Sequence, residues 1–198
     1  MSYRTHDIPV EGGTLHVAEW GNADGPVILC SHGLTATHIC WQPLAEILGE
    51  EYRLIAPDHR GRGNSRAVEG PFGMPAHAAD MVAILDHFGI ANADLIIGHS
   101  MGGFVATVAG ATYPDLFAKL FLIDGGLPSI DNMPENVSAE ELALAVVGAS
   151  MKRLDMEFAS YEAYHDFWKQ HPCFADDWSP YVEAYIDYDL VGQAPHLK

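Results

Sequence analysis

The stretch Gly98–Gly103, with the sequence Gly-His-Ser-Met-Gly-Gly, decides the fold of this chain. It follows the apolar run Leu95–Ile97 and precedes a helical pattern that extends toward Tyr113. A serine on so sharp a strand-to-helix turn is held in a strained backbone conformation, and glycines are needed where a Cβ would collide with neighbouring chain. The turn exposes the Ser100 hydroxyl at a helix N-terminus, where free backbone N–H groups point at developing negative charge. The pattern therefore predicts a nucleophilic serine, and the alternative is an N-cap serine in a glycine-rich turn.

Apolar runs alternate with helical patterns on both sides of this turn. Strands are predicted at Leu15–Trp20, Val27–Cys30, Leu54–Ala56, Leu95–Ile97 and Leu120–Ile123. The last four runs are apolar at consecutive positions, which is typical of parallel strands covered by helices on both faces. Helices are predicted between the strands, and two of them stop at Gly49 and Gly89. This alternation predicts right-handed crossovers and a doubly wound, mostly parallel α/β sheet.

Residues 131–198 have a different character, with helical patterns and no clear apolar strand. Helices are predicted to start at the capping box Ser138–Glu141 and at Ser179-Pro180, an N-cap followed by Pro at the first helical position. The segment holds 10 of the 20 aromatic residues and 13 acidic against 4 basic residues. We predict an α/β core over residues 1–130 and a helical lid over residues 131–198. An ordinary set of surface helices is the alternative.

Composition and charge limit the function classes. The chain has 198 residues, of which 48% are hydrophobic and 19% charged, enough apolar material for one sizeable core. A formal charge of −17 repels phosphate backbones and anionic lipid surfaces, so no nucleic acid and no membrane is expected as a partner. The three cysteines lack paired metal-ligand spacing, so no metal site is expected, and their odd number suits a reducing cytoplasm. No signal peptide or membrane span is predicted.

A second chemical element lies upstream, where the strand Val27–Cys30 runs into Ser31-His32-Gly33-Leu34. A glycine directly after a strand lets the loop backbone approach a ligand closely. The N–H groups of Leu34 and Met101 are predicted to form an oxyanion hole, because a tetrahedral intermediate needs two donors fixed before its charge appears. Each such donor is typically worth ~3 kcal/mol of barrier. His32 is interpreted as a structural histidine that hydrogen-bonds the loop, and its alternative is a catalytic base.

Three motifs in chain order resemble the α/β-hydrolase superfamily, and specifically its lid-bearing, esterase-like members. They are Ser31–Gly33 after the strand Val27–Cys30, Pro57–Ser65 after Leu54–Ala56, and Gly98–Gly103 after Leu95–Ile97. The resemblance covers residues 8–130 and implies Ser100 as nucleophile with Leu34 and Met101 as oxyanion donors. It gives Pro57–Ser65 mainly a loop-shaping role, so Asp58 and Arg60 are left out of the catalytic set. Haloalkane dehalogenases and many epoxide hydrolases are similar but carry Asp where Ser100 stands, so their chemistry is not expected here.

The acid and base that Ser100 needs are not among these motifs. A serine at its own pKa is a poor nucleophile and requires a His that a carboxylate orients. The resemblance implies an acid after a seventh strand and a His after an eighth, in the order Ser, acid, His. Neither strand is predicted before Lys198, so we expect the C-terminal strands of the fold to be missing. On this expectation the catalytic base lies outside this chain, in a C-terminal companion fragment of the same protein.

Two alternatives to a missing base remain. In the first, Asp124, just after the strand Leu120–Ile123, is a possible acid, and it would orient a lid histidine chosen from His165, His171 and His196. Asp124 could instead cap the following turn. In the second alternative, the chain is a truncated hydrolase fold that binds a small apolar ligand without turnover.

The expected function is a serine hydrolase that cleaves a small or medium carboxylic ester, lactone or thioester through an acyl-enzyme on Ser100. No cofactor is expected for this chemistry. A carbon–carbon bond hydrolase or a cofactor-free perhydrolase would use the same serine and remains an alternative. An aromatic lid suits an apolar or ring-containing acyl group.

Overall fold

The computed structural model describes residues 3–127 and 137–198. The chain divides into two compact units, Met1–Leu127 and Pro128–Lys198. The first unit contains six strands, β1 Arg4–Val10, β2 Gly13–Gly21, β3 Val27–Ser31, β4 Arg53–Pro57, β5 Leu95–His99 and β6 Leu120–Ile123. Its α-helices are α1 Gln42–Leu48, α2 Met74–Phe88 and α3 Met101–Thr112, with short 3₁₀ helices at His38–Trp41 and Gly63–Ser65.

The strands form one sheet in the order β1-β2-β4-β3-β5-β6. β2 runs antiparallel to both of its neighbours, and β4, β3, β5 and β6 are parallel to one another. Consecutive residues of β3 enter different cores: Ile28 packs with α1, whereas Leu29 packs with α2 and α3. This division is what parallel strands with helices on both faces require. The predicted doubly wound, mostly parallel α/β fold is confirmed.

Two strands depart from the sequence-based expectation. β1 was not indicated by its sequence, because Ile8 is its only fully buried residue, Val10 is half-buried, and its other residues are polar or exposed. β6 lies where predicted but is not covered on both faces, since Leu120 is 39% and Phe121 57% exposed. The reason is its position: within the described residues, β6 pairs with β5 alone and forms the edge of the sheet. The prediction of full coverage is therefore wrong for this strand.

The helices of the first unit end where their sequences indicate. The last residue of α2 is followed by Gly89 in the left-handed conformation, with φ of 63°, and its N–H bonds the carbonyls of Leu85 and Asp86. Glycine adopts this conformation without a Cβ penalty. α1 ends before Gly49, which here keeps a right-handed helical conformation.

In the second unit the structure describes three helices, α4 Ala139–Leu154, α5 Tyr161–Lys169 and α6 Pro180–Tyr188. Ser138 and Glu141 form the predicted capping box at the start of α4, and Ser179 caps α6. The Tyr164 hydroxyl of α5 donates to the Ile186 carbonyl of α6 at 2.6 Å. Residues 131–136 of the predicted lid lie outside the described residues, and the lid role itself stays a prediction. No helix in the described ranges is long and apolar enough to cross a membrane.

Candidate active site

Ser100 occupies the turn between β5 and α3 in a backbone conformation that residues with a side chain rarely adopt. Its φ is 52° and its ψ is −118°, and it is the N-cap of α3. The Ser100 N–H donates to the Ile123 carbonyl at 2.9 Å, and the Ser100 carbonyl accepts from the Gly103 N–H at 2.9 Å. These two bonds tie the strained residue to β6 and to the first turn of the helix. The predicted strand-turn-helix setting of this serine is what the structure contains.

The glycines around Ser100 are required by close backbone approach. A Cβ on Gly98 would collide with the Gly102 carbonyl, and a Cβ on Gly102 would collide with the Ser31 carbonyl at the end of β3. A Cβ on Gly103 would lie 2.8 Å from the Gly125 carbonyl carbon in the chain after β6. Each neighbouring atom belongs to the backbone, which has little freedom to yield. Glycine is therefore required at these positions because α3 packs directly against the backbone of β3 and of the chain after β6.

The loop that follows β3 runs beside Ser100. β3 and β5 are parallel with Ser31 opposite Gly98, so both carboxyl ends reach the same edge of the sheet. A Cβ added to Gly33 would lie 3.4 Å from the Ser100 Cβ and 3.3 Å from the His99 Nδ1. The structure thus brings together the two segments that hold the predicted oxyanion donors. That Leu34 and Met101 act as those donors stays a prediction.

His32 is a fixed part of this loop. Its ring is fully buried, its Nε2 accepts from the His59 N–H at 2.9 Å, and its Nδ1 therefore donates to the Gly33 carbonyl at 2.7 Å. Burial lowers the pKa of His32 to about 4, so the ring is neutral near pH 7. The Gly33 carbonyl and the Leu34 N–H belong to one planar peptide unit. The His32 bond therefore fixes the direction in which the Leu34 N–H points.

The predicted loop-shaping segment Pro57–Ser65 lies against the same loop. The buried Asp58 carboxylate accepts from the backbone N–H and the Nδ1 of His38 at 2.9 and 2.8 Å, and from the Asn64 N–H at 2.9 Å. Burial opposes ionisation of Asp58, but these donors lower its pKa to about 2. Arg60 is equally buried and pairs with Asp80 through two hydrogen bonds of 2.7 and 2.5 Å. Both charged side chains are occupied by structural partners.

Three histidines meet in the interior behind this loop. The ring centroids of His32 and His59 are 4.3 Å apart, and those of His59 and His77 are 4.9 Å apart. The His59 Nε2 bonds the Ser31 Oγ at 2.9 Å. Burial lowers the pKa of His59 well below its usual value and that of His77 to about 4, with the nearby Arg60 and Arg62 charges acting in the same direction. The cluster is therefore uncharged near neutral pH.

Unfolding is expected to become easier as the pH falls from about 6.5 to about 4. Histidines of the unfolded chain bind protons near pH 6.5, whereas these buried rings resist protonation, so the unfolded state binds more protons and stability falls with pH. The pKa of His32, about 4 against an ordinary 6.5, alone implies a loss of about 3 kcal/mol by pH 4. Urea unfolding at pH 7, 5.5 and 4 measures this loss. His77→Gln should flatten the profile, whereas His87→Gln, at an exposed position of the same helix, should leave it unchanged.

Asp124 belongs to the first unit, and the three lid histidines belong to the second. Asp124 is exposed, with φ of 48°, directly after β6, and a Cβ on the next residue, Gly125, would collide with the Ser100 carbonyl. His165 Nε2 bonds Asp187 at 2.7 Å, and His196 Nδ1 bonds Glu157 at 2.9 Å. His171 Nδ1 accepts from the Cys173 N–H at 3.3 Å. The chain after β6 thus lies beside the strand-to-helix turn at Gly98–Gly103, which we call the elbow. The acid role of Asp124 stays a prediction.

Arg62 is a candidate functional residue that the sequence did not single out. Its Nε donates to the Leu34 carbonyl at 2.7 Å, and its Nη1 donates to the Arg60 carbonyl at 3.3 Å. The available signal was an arginine between two glycines in the loop after β4, close to the predicted oxyanion segment in the parallel sheet. Such a pattern does not reveal which backbone atom a long side chain reaches.

Comparison with known proteins agrees with this fold. The sequence profile of the α/β-hydrolase fold matches residues 26–163, and the chain belongs to that family. An epoxide hydrolase from Caballeronia sordidicola is 36% identical over 121 residues, which cover 60% of this chain and 36% of that protein. A bifunctional esterase/perhydrolase from Acinetobacter calcoaceticus is 32% identical over 136 residues, 64% of this chain and 49% of that protein. The chain thus spans less than half the length of these curated relatives.

A solved structure extends the likeness to the whole chain. The crystal structure of E-2-(acetamidomethylene)succinate hydrolase superposes with a TM-score of 0.77 at 23% sequence identity, and covers 100% of this chain and 68% of that chain. At this identity the likeness concerns the fold alone. The relatives carry names of different reactions, so the family leaves the reaction of this chain undecided. The exclusion of epoxide chemistry, made from Ser100, stays a prediction.

Proposed function

We propose that this chain carries the nucleophile of a serine hydrolase that cleaves a small or medium carboxylic ester, lactone or thioester through an acyl-enzyme on Ser100. The observation that carries the proposal is the backbone of Ser100, held at φ 52° and ψ −118° beside the loop at Gly33. A side chain in such a sparsely populated conformation costs about 1–3 kcal/mol. An N-cap serine needs no such conformation, whereas a nucleophile gains from it because the hydroxyl projects away from the strand and the helix.

The proposed reaction begins with attack of the Ser100 Oγ on the substrate carbonyl carbon, while the hydroxyl proton passes to the base. The carbonyl oxygen becomes an oxyanion, which the N–H groups of Leu34 and Met101 stabilise. Collapse breaks the bond to the leaving alcohol or thiol, which takes the proton from the base. Water then attacks the acyl-enzyme and gives a proton to the same base. The base returns that proton to the Ser100 Oγ as the carboxylic acid product is released. This chemistry requires no cofactor.

The catalytic base belongs to the proposal as a residue outside this chain, in a C-terminal companion segment. Asp124 is the candidate acid, since the chain that follows it passes the Ser100 carbonyl. The substrate is proposed to be a small ester-like molecule, and the location to be the cytoplasm. An apolar or ring-containing acyl group is the proposed preference, and it rests on the 10 aromatic residues that the sequence carries in residues 131–198.

Covalent labelling tests the proposal. Purified protein is treated with a fluorophosphonate, and its intact mass is measured before and after, followed by peptide mapping. The expected result is one adduct per chain on Ser100, with none in Ser100→Ala or in heat-unfolded protein. The starting mass shows whether a companion segment accompanies the chain. If the folded protein carries the companion segment and still takes up no label, the acyl-enzyme is contradicted, and non-covalent binding of a small apolar ligand becomes the better account.

A further inference from the structure

Two loops at the carboxyl ends of neighbouring strands are joined by one arginine side chain. β3 and β4 are parallel partners, so the loops that follow them leave the sheet at the same edge. Arg62, in the loop after β4, places its Nε 2.7 Å from the Leu34 carbonyl oxygen in the loop after β3. Its own N–H donates to the His59 carbonyl at 2.9 Å, which anchors the base of the side chain. The guanidinium is thus a charged bridge between the two loops.

We propose that Arg62 is a positioning residue of the oxyanion hole, one that holds the Leu34 N–H in its working direction. This inference rests on the proposed function. The carbonyls on both sides of the Leu34 α-carbon are held: His32 binds the Gly33 oxygen and Arg62 binds the Leu34 oxygen, each at 2.7 Å. Each carbonyl belongs to a planar peptide unit, so the two bonds fix both planes that flank Leu34. The Leu34 N–H lies in the Gly33–Leu34 plane that His32 holds, and Arg62 holds the next plane, Leu34–Thr35, so a turn of either plane about the Leu34 α-carbon breaks one of the two bonds.

The hydrogen bonds from His32 and from Arg62 differ in the charge of the donor and therefore in strength. His32 is neutral, with its pKa lowered by burial to about 4, and its other nitrogen is held by the His59 backbone. Arg62 carries a permanent charge, and hydrogen bonds from charged donors are about twice as strong as neutral ones. Arg62 is also half-buried, so water competes for the Leu34 carbonyl once the guanidinium is removed. Loss of Arg62 should therefore free the Leu34–Thr35 peptide and loosen the Leu34 N–H from that side, while the His32 bond remains and the loop stays folded.

Such a loss should affect the chemical step more than substrate binding. An oxyanion donor acts when negative charge develops, so its misplacement lowers the rate of acylation but leaves contacts to the rest of the substrate in place. Removal of a whole donor typically costs about 100- to 1,000-fold in rate. Loosening a donor that is still present should cost less, and we expect about 10- to 100-fold.

Arg66 provides a matched control in the same segment. Its Nε donates to the Gly63 carbonyl at 2.7 Å, the same kind of bond at the same distance, but Gly63 lies in the loop after β4 and not beside Ser100. Arg66→Ala thus removes the same charge and a bond that matches the one from Arg62 to Leu34, whereas Arg62→Ala also removes the longer bond to the Arg60 carbonyl. A general loosening of the loop should affect both arginine variants, whereas a positioning role should separate them.

The experiment measures fluorophosphonate labelling of the protein together with its companion segment, over a range of reagent concentrations that separates the maximal rate constant from the half-saturating concentration. Arg62→Ala should lower the maximal rate about 10- to 100-fold and leave half-saturation within about threefold, whereas Arg66→Ala should stay close to the unsubstituted protein in both. Millimolar guanidinium ion should restore part of the rate in Arg62→Ala only. Circular dichroism and melting temperature confirm that both variants are folded.

Each contrary outcome has a definite meaning. An unsubstituted protein that carries the companion segment and takes up no label overturns the proposed function and this inference together. Labelling of the unsubstituted protein with an unchanged maximal rate in Arg62→Ala overturns only the positioning role. Equal losses of rate in both arginine variants assign Arg62 a general structural role and overturn the inference. The same conclusion follows if Arg62→Ala changes only the half-saturating concentration and guanidinium does not restore it.

Discussion

Ser100→Gly should be as unreactive toward a fluorophosphonate as Ser100→Ala, yet more resistant to unfolding by about 1–2 kcal/mol. Both substitutions remove the hydroxyl, so neither protein can form the adduct. They differ in the Cβ, which alanine keeps at φ 52° and ψ −118°. That conformation strains every residue with a Cβ, whereas glycine adopts it freely. The larger backbone entropy of the unfolded glycine chain offsets only part of this gain, since it amounts to about 0.5–1 kcal/mol.

Urea unfolding of the two variants at pH 7 measures the difference. Ser150 in α4 is a suitable comparison, because it lies inside a regular helix. There the order should reverse, and Ser150→Gly should be less stable than Ser150→Ala by about 1 kcal/mol. Should Ser100→Gly prove less stable than Ser100→Ala, the backbone at the elbow would not be strained. The observation that supports a catalytic serine would then be lost.

The sequence predicted those parts of the fold in which a single local constraint dictates the residue type. The elbow glycines were readable because any Cβ at Gly98 or Gly102 meets backbone, whatever the rest of the chain does. The inner strands were readable because residues such as Ile28 and Leu29 face opposite helical layers and both must be apolar. β1 was not predicted because, within the described residues, it pairs with β2 alone at the edge of the sheet, and Ile8 is its one fully buried residue beside the half-buried Val10.

The candidate site was predictable only in its local part. Ser100 and the glycine of the oxyanion loop stand in motifs that carry their own geometry, so position along the chain was enough to find them. The contact of Arg62 with the Leu34 carbonyl joins residues 28 positions apart, and it depends on the side-by-side pairing of β3 and β4. Acid and base are joined to the serine only through the tertiary fold, and no pattern in the sequence states which histidine would approach it.

Gly102→Ala should unfold the first unit or lower its free energy of unfolding by about 3 kcal/mol or more. An added Cβ would collide with the Ser31 carbonyl and lie 2.8 Å from the His32 carbonyl. These atoms cannot give way cheaply, because β3 is paired on both sides and the ring of His32 is fixed at both nitrogens. Any outward movement of α3 would also carry Ser100 away from the oxyanion loop. Circular dichroism with urea unfolding measures the loss of stability, and fluorophosphonate labelling measures the loss of geometry.

Gly110→Ala on the same helix separates this collision from the general effect of adding a methyl group. Its Cβ would meet the two terminal carbons of Leu120 at 3.0 and 3.1 Å, and that side chain is 39% exposed and free to shift. Alanine favours the helix by about 1 kcal/mol over glycine, so Gly110→Ala should stay within about 1 kcal/mol of the unsubstituted protein. If Gly102→Ala matched it in stability and in labelling, α3 and β3 would not approach as closely as described. The oxyanion loop would then not be held against Ser100 by the packing of that helix.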